Sequence, residues 1–132
     1  MAIFAIGASY NNEDVSNSFI ENNIAGPGWD ESEAPELHQI IKSMKVGDIL
    51  YIKSANVSSA IKVKAIGIVA DSTIICDSEL VEIGRNIRWI PVQEFTIEKP
   101  VEKLQIRMNT LYEEFHPDVQ QAILNKVFEK IQ

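Results

Sequence analysis

The sequence predicts an α+β fold, a small mixed β-barrel with flanking helices and a helical C-terminal segment, and three observations predict it. Residues 49–54 and 61–69 alternate apolar with polar or cationic side chains, as half-buried strands do. Just before them, Leu37, Ile40, Ile41 and Met44 recur at the spacing of one buried helical stripe. Finally, 132 residues with 45% apolar content can close one sizeable core but hardly two, so a single domain over residues 1–132 is expected.

Taken in order, residues 3–9 are apolar nearly throughout, which suits a strand covered on both faces. Asn11 or Asn12 is placed to cap a first helix whose opening turn holds Glu13 and Asp14, acids well sited against the helix dipole. Val15 and Phe19 then lie one turn apart on its inner face. Gly26-Pro27-Gly28 breaks the chain ahead of Trp29. Pro35 suits the first turn of a second helix, Gly47 is placed to end it, and Asp48 turns the chain into the strand at 49–54. A polar loop without glycine, residues 55–60, joins that strand to the one at 61–69 and is long for a hairpin. Gly84 precedes another strand, 87–92, where Pro91 suggests an edge position.

After Pro100 the pattern changes. Leu104, Met108, Leu111, Tyr112 and Phe115 recur at helical spacing, and Thr110 with Glu113 has the form of a capping box. Pro117 opens a final helix with Val119, Ile123, Val127 and Ile131 on one side, widened by Leu124 and Phe128. The barrel therefore occupies roughly residues 1–98 and the helical segment roughly 101–132. That segment packs on the barrel or forms a homodimer contact, and intramolecular packing is favoured.

The net charge of −7 is unevenly distributed. Residues 1–41 contain no Lys or Arg but carry Glu13, Asp14, Glu21, Asp30, Glu31, Glu33 and Glu36. In the following hairpin, Lys42, Lys45, Lys53, Lys62 and Lys64 are opposed only by Asp48. Diffuse affinity for duplex backbone needs a broad positive face, because it comes from neutralising many phosphates at once. A small anion, or one nucleotide in a pocket, remains compatible with this balance. The apolar runs are far too short to span a membrane, and no basic region precedes a leader-like run, so a cytoplasmic location is expected. The lone Cys76 forms no internal disulfide, and with only His38 and His116 beside it there is no metal-ligand spacing.

The stretch Lys45-Val46-Gly47-Asp48-Ile49-Leu50-Tyr51-Ile52-Lys53 is followed by Ile61-Lys62-Val63-Lys64-Ala65-Ile66-Gly67-Ile68-Val69. With Ala5-Ile6-Gly7, Gly28-Trp29-Asp30 and Arg88-Trp89-Ile90-Pro91-Val92, it resembles the PUA-like superfamily, specifically its EVE-type branch, over roughly residues 1–98. The resemblance implies an aromatic cage at one end of the barrel that takes an extruded nucleobase. It also implies a setting of defence or counter-defence, since EVE-type domains are often fused to nucleases or ATPases.

A base needs a π surface for stacking, hydrogen-bond partners for its edge and cations for its phosphate. Trp29, Tyr51 and Trp89 are the candidate stacking residues. Ser9, Tyr10, Asp30, Ser54 and Asn56 are candidate polar contacts, and Lys53, Lys62 and Lys64 candidate phosphate contacts. Core packing competes for each aromatic residue, and a solvated outer face for Lys62 and Lys64.

No nucleophile elbow, P-loop ending or calcium loop is present, so no catalytic residue, metal or cofactor is assigned. The expected function is non-enzymatic recognition of a nucleobase or nucleotide, either a modified base in DNA or RNA or a free nucleotide signal. The alternative is a protein-interaction module or inhibitor that docks through its acidic N-terminal segment. A nucleotide-processing enzyme is a weaker third.

Overall fold

The computed structural model describes residues 1–10, 13–55, 60–98 and 111–131. Its elements are, in order, β1 (Ile3–Gly7), β2 (Ser9–Tyr10), β3 (Glu13–Asp14), α1 (Ser16–Asn22), β4 (Ile24–Ala25) and α2 (Pro35–Ser43). β5 (Ile49–Ala55), β6 (Ala60–Ile75), β7 (Gly84–Ile90), β8 (Phe95–Glu98), β9 (Leu111–Glu113) and α3 (Pro117–Ile131) follow.

The strands predicted to begin at Ile3, Ile49, Ile61 and Ile87 all belong to one mixed sheet, in the order β4-β7-β6-β5-β1-β9, with β8 beside β6. Among the described residues, only β1 and β5 pair in parallel; each other pairing in the sheet is antiparallel. The long β6 takes β8 along Ala60–Val63 and β7 along Ile66–Ile75, and the sheet curls into a half-barrel.

Both faces of this sheet are covered, which explains the continuous apolar run of β1. Phe4 and Ile6 face one core with Leu50, Ile52, Phe19 of α1 and Ile41 of α2. Ile3 and Ala5 face the other with Ile49, Tyr51, Ile66 and the α3 stripe Val119, Ile123 and Val127. Between β5 and β6 the register passes from Ile52↔Ala65 to Lys53↔Val63, so Lys64 is the extra residue of a bulge. The bulge reverses the facing of β6. Ile61 and Val63 before it, and Ile66 after it, can therefore all enter the same core.

Asp48 ties the first turn of the sheet together. Its carboxylate accepts from the backbone N–H of Ala2 at 3.0 Å and of Lys45 at 2.8 Å. Gly47 has φ +94°, a conformation that other residues rarely adopt, and so supplies the turn itself. It does not end α2, which stops at Ser43. The last carbonyls there, of Ile41 and Met44, accept from the buried Arg85 guanidinium, a cation at the negative end of the helix dipole.

Four expectations are corrected. Glu13 and Asp14 form a strand opposite β2 rather than a helical turn, and α1 starts at Ser16, whose N–H bonds to Asp14 Oδ1 at 2.8 Å. A side chain two residues on from the expected asparagines thus serves the helix start. Leu111, Tyr112 and Glu113 form β9 on the free edge of β1 instead of continuing a helix, because three residues follow the sheet's pairing rather than local periodicity. The expected edge position holds only for the far end of β7: β4 pairs Arg85 and Asn86, whereas residues 88–90 have β6 as their one ladder partner among the described residues, and β7 ends at Ile90, so Pro91 falls just past the ladder. β6 runs on to Ile75, well beyond the expected end at 69. The helical expectations for Leu104, Met108 and Thr110 fall outside the described residues, as does the cap at Asn11 or Asn12. No helix among the described residues is long and apolar enough to cross a membrane.

Candidate functional site

Among the described residues, two places gather side chains that a binding function would use. The first is a groove of about 300 Å³ between the loop at 26–29 and the segment at 78–82, lined by Ser9, Gly28, Trp29, Ser78, Glu79, Leu80, Val81 and Glu82. Its size is at the small end of the range for small-molecule sites, ~300–1,000 Å³.

The groove's two walls are held by the core. Gly26 sits so close to β7 that a Cβ there would lie 1.9 Å from the carbonyl oxygen of Ile83, which only glycine allows. The N–H of Glu82 donates to the carbonyl of Pro27 at 3.0 Å and joins the walls. Val81 and Ile83 are buried in the core, so Glu82 between them is turned outward on fixed backbone.

Behind the loop, the buried His38 contacts the carbonyl of Trp29 through Nε2 at 2.7 Å. A carbonyl oxygen only accepts, so the proton is on Nε2. Trp29 is thus anchored at its backbone while its side chain stays 50% exposed.

The groove is acidic. Glu79 and Glu82 are its charged lining residues, both exposed, and no Lys or Arg is among its lining residues as described. Asp30 is adjacent in sequence, but its carboxylate is spent on the next turn, accepting from the Ser32 hydroxyl at 2.8 Å and the Glu33 N–H at 2.9 Å. Those bonds, the Ser32 one foremost, hold its carboxyl below the usual aspartate range.

The second place is a buried polar cluster on the α3 side of the sheet. Tyr51, 0% exposed, donates its hydroxyl to Glu114 Oε1 at 2.7 Å, and the N–H of His116 donates to Glu114 Oε2 at 3.1 Å. The ammonium of Lys53 lies 4.9 Å from the centroid of the Tyr112 ring. Ala5, with no side chain beyond Cβ, lies between Tyr51 and Tyr112 in the ladder and leaves room for both rings. Burial pushes the Tyr51 phenol far above its ordinary pKa and lowers that of Lys53, the Glu114 carboxylate partly opposing the latter. Each polar group meets another inside the fold, and α3 covers the sheet face on which they lie.

The structure therefore separates the expected site residues. Ser9 and Trp29 line the groove together. Tyr51 and Lys53 belong to the buried cluster, because β5 points both into the second core. Trp89 packs against the first core, its indole N–H donating to the carbonyl of Phe19 at 3.0 Å and its ring lying against Gly67 on the neighbouring strand. The expected three-ring cage is not assembled from these residues.

Lys62 pairs with Glu94 at 3.2 Å, and Lys64 pairs with Asp14. These partners neutralise the hairpin cations that were expected to meet a phosphate. Ser54 is half-buried opposite Lys62, Tyr10 lies in β2, and Asn56 is outside the described residues.

Glu79, Glu82, Glu114 and the anchoring role of His38 were not foreseen. The only sequence signal for His38 is its place beside the buried stripe of α2; the glutamates carry none, since each reaches its site through long-range packing. Among the described residues, no three His, Cys, Asp or Glu side chains are grouped to hold a metal ion. The chain matches no protein-family model and no curated protein.

Proposed function

We propose that this protein is a non-enzymatic binding protein of PUA-like, EVE-type architecture that holds a single nucleobase against Trp29. One observation carries the reading: a large aromatic side chain is left half exposed on backbone that is anchored from two sides. Burying an indole would stabilise the fold by a few kcal/mol, so the exposed position is not explained by folding. Holding the loop in place before the ligand arrives removes part of the ordering cost of binding.

The ligand's phosphate is not the recognised part, because the charged residues that line the groove, as described, are Glu79 and Glu82. A free nucleoside or nucleotide, or one modified base turned out of DNA or RNA, satisfies this chemistry. Base recognition of that kind would serve defence or counter-defence.

A base stacked on an indole quenches its fluorescence. Adding nucleosides should lower the emission of the parent protein and leave that of Trp29→Ala, which retains Trp89 outside the groove, unchanged. Equal quenching of both proteins, or of neither, would refute the reading.

A second reading has its own support. Glu31, Glu33 and Glu36 are exposed beside Trp29, which suits docking of a basic protein partner. Charge reversal at Glu31 and Glu33 would abolish such docking and leave base binding intact.

A further inference from the structure

We propose that the groove selects guanine, reading the paired donors on that base's edge with the carboxylate of Glu79 or Glu82 while Trp29 stacks on its face. The inference rests on the base-binding reading above and goes further by naming the base.

An ionised carboxylate only accepts hydrogen bonds and can take two parallel N–H donors at once, as it does from arginine. Guanine is the common base with two adjacent donors on one edge, the ring N1–H and the 2-amino group. Adenine and cytosine put one amino group beside a ring nitrogen that accepts, and uracil has a single N–H flanked by two carbonyl oxygens. Set against a carboxylate, each of those acceptors is repelled by like partial charge, whereas guanine meets it with donors only.

The positions of the two glutamates suit this role. Both are exposed residues that line the same groove as the half-exposed Trp29, and Glu82 is carried on backbone fixed by its bond to Pro27 and by buried neighbours on either side. Neither is among the described ion pairs. A 5′-phosphate adds nothing here, since it would bring negative charge towards an acidic groove.

Calorimetric titration of the full chain with guanosine, inosine, adenosine, cytidine, uridine, guanosine 5′-monophosphate and N-acetyl-arginine amide tests the proposal. Guanosine should bind at least tenfold more tightly than adenosine, cytidine or uridine. Inosine, which lacks the 2-amino group, should fall between, and the monophosphate should bind no more tightly than guanosine. Glu79→Gln or Glu82→Gln, whichever residue engages the edge, should weaken guanosine at least tenfold and adenosine little, with an unchanged thermal midpoint.

If adenosine binds as tightly as guanosine and both depend on Trp29, the guanine assignment is wrong and base binding stands. If no nucleoside binds, or only the arginine amide does, both fall. The parent's preference among nucleosides decides the matter without relying on any variant's folding.

Discussion

Trp29 and Tyr51 are both aromatic residues on firmly held backbone, and they differ in what the side chain does. The phenol of Tyr51 is enclosed, its hydroxyl is bonded to Glu114, and the α3 side of the sheet is built around it. The backbone of Trp29 is held through its own carbonyl and, two residues away, by the bond from Glu82 to Pro27, while the residue stays half exposed and lines a groove. Stability accounts for the first arrangement and not for the second. On the proposed function, a binding aromatic differs from a packing one by exposure of the ring combined with restraint of the backbone.

The contrast is broken most forcefully at Glu114. Glu114→Ala removes the acceptor for the buried Tyr51 hydroxyl and a carboxylate whose charge favours the Lys53 ammonium, which leaves that hydroxyl unmatched. It should destabilise the protein by ~3–5 kcal/mol, read from urea unfolding. Binding in the groove, measured where the variant is still folded, should not change. A loss under about 1 kcal/mol would mean that the cluster is far wetter than its burial indicates.

Gly26→Ala tests the groove's own support. Its new methyl group would press on the Ile83 carbonyl, a backbone atom that cannot move aside without shifting β7. A cost of ~1–3 kcal/mol is expected in the same assay, with weaker ligand binding because one wall is displaced. Unchanged binding in the folded variant would show that the wall does not position Trp29.

These differences explain what was legible in the sequence. β1, α2 and α3 were readable because each carries its full pattern within one short stretch: apolar throughout for a strand covered twice, and one stripe each for the helices. β9 was not, because Leu111, Tyr112 and Glu113 take strand form only by pairing with β1, about a hundred residues away. In the groove, Trp29 and Ser9 were found from residue type, while Ser78 to Glu82 lie in an irregular segment without periodicity. Trp29, Tyr51 and Trp89 look alike in sequence, and only the register of β5 and the glycine facing Trp89 separate them.

A smaller effect concerns Asp14, on the strand opposite Ser9. The Lys64 ammonium, and then the Ser16 hydroxyl and N–H, lower its carboxyl pKa from 3.8 to about 2. A depressed carboxylate pKa contributes stability that is present above the unfolded value and is lost as pH falls from about 4 to about 2. Because the Asp14 side chain is 55% exposed, screening holds this below about 1 kcal/mol. Asp14→Asn should therefore lower the urea midpoint slightly at pH 7, and the gap to the parent should close towards pH 2. A gap that stays constant with pH would mean that the charge of Asp14 is not what matters.

The central claim is that Trp29 is held in place for a ligand rather than for the fold, and Trp29→Ala measured twice tests it most directly. Urea unfolding should place the variant within about 0.5 kcal/mol of the parent, as for a side chain that contributes little to the core. Calorimetry with the tightest-binding nucleoside should show a loss of ~1–3 kcal/mol, the range for a missing base-aromatic stack. A variant that binds as tightly as the parent, or that loses several kcal/mol of stability, would contradict the claim.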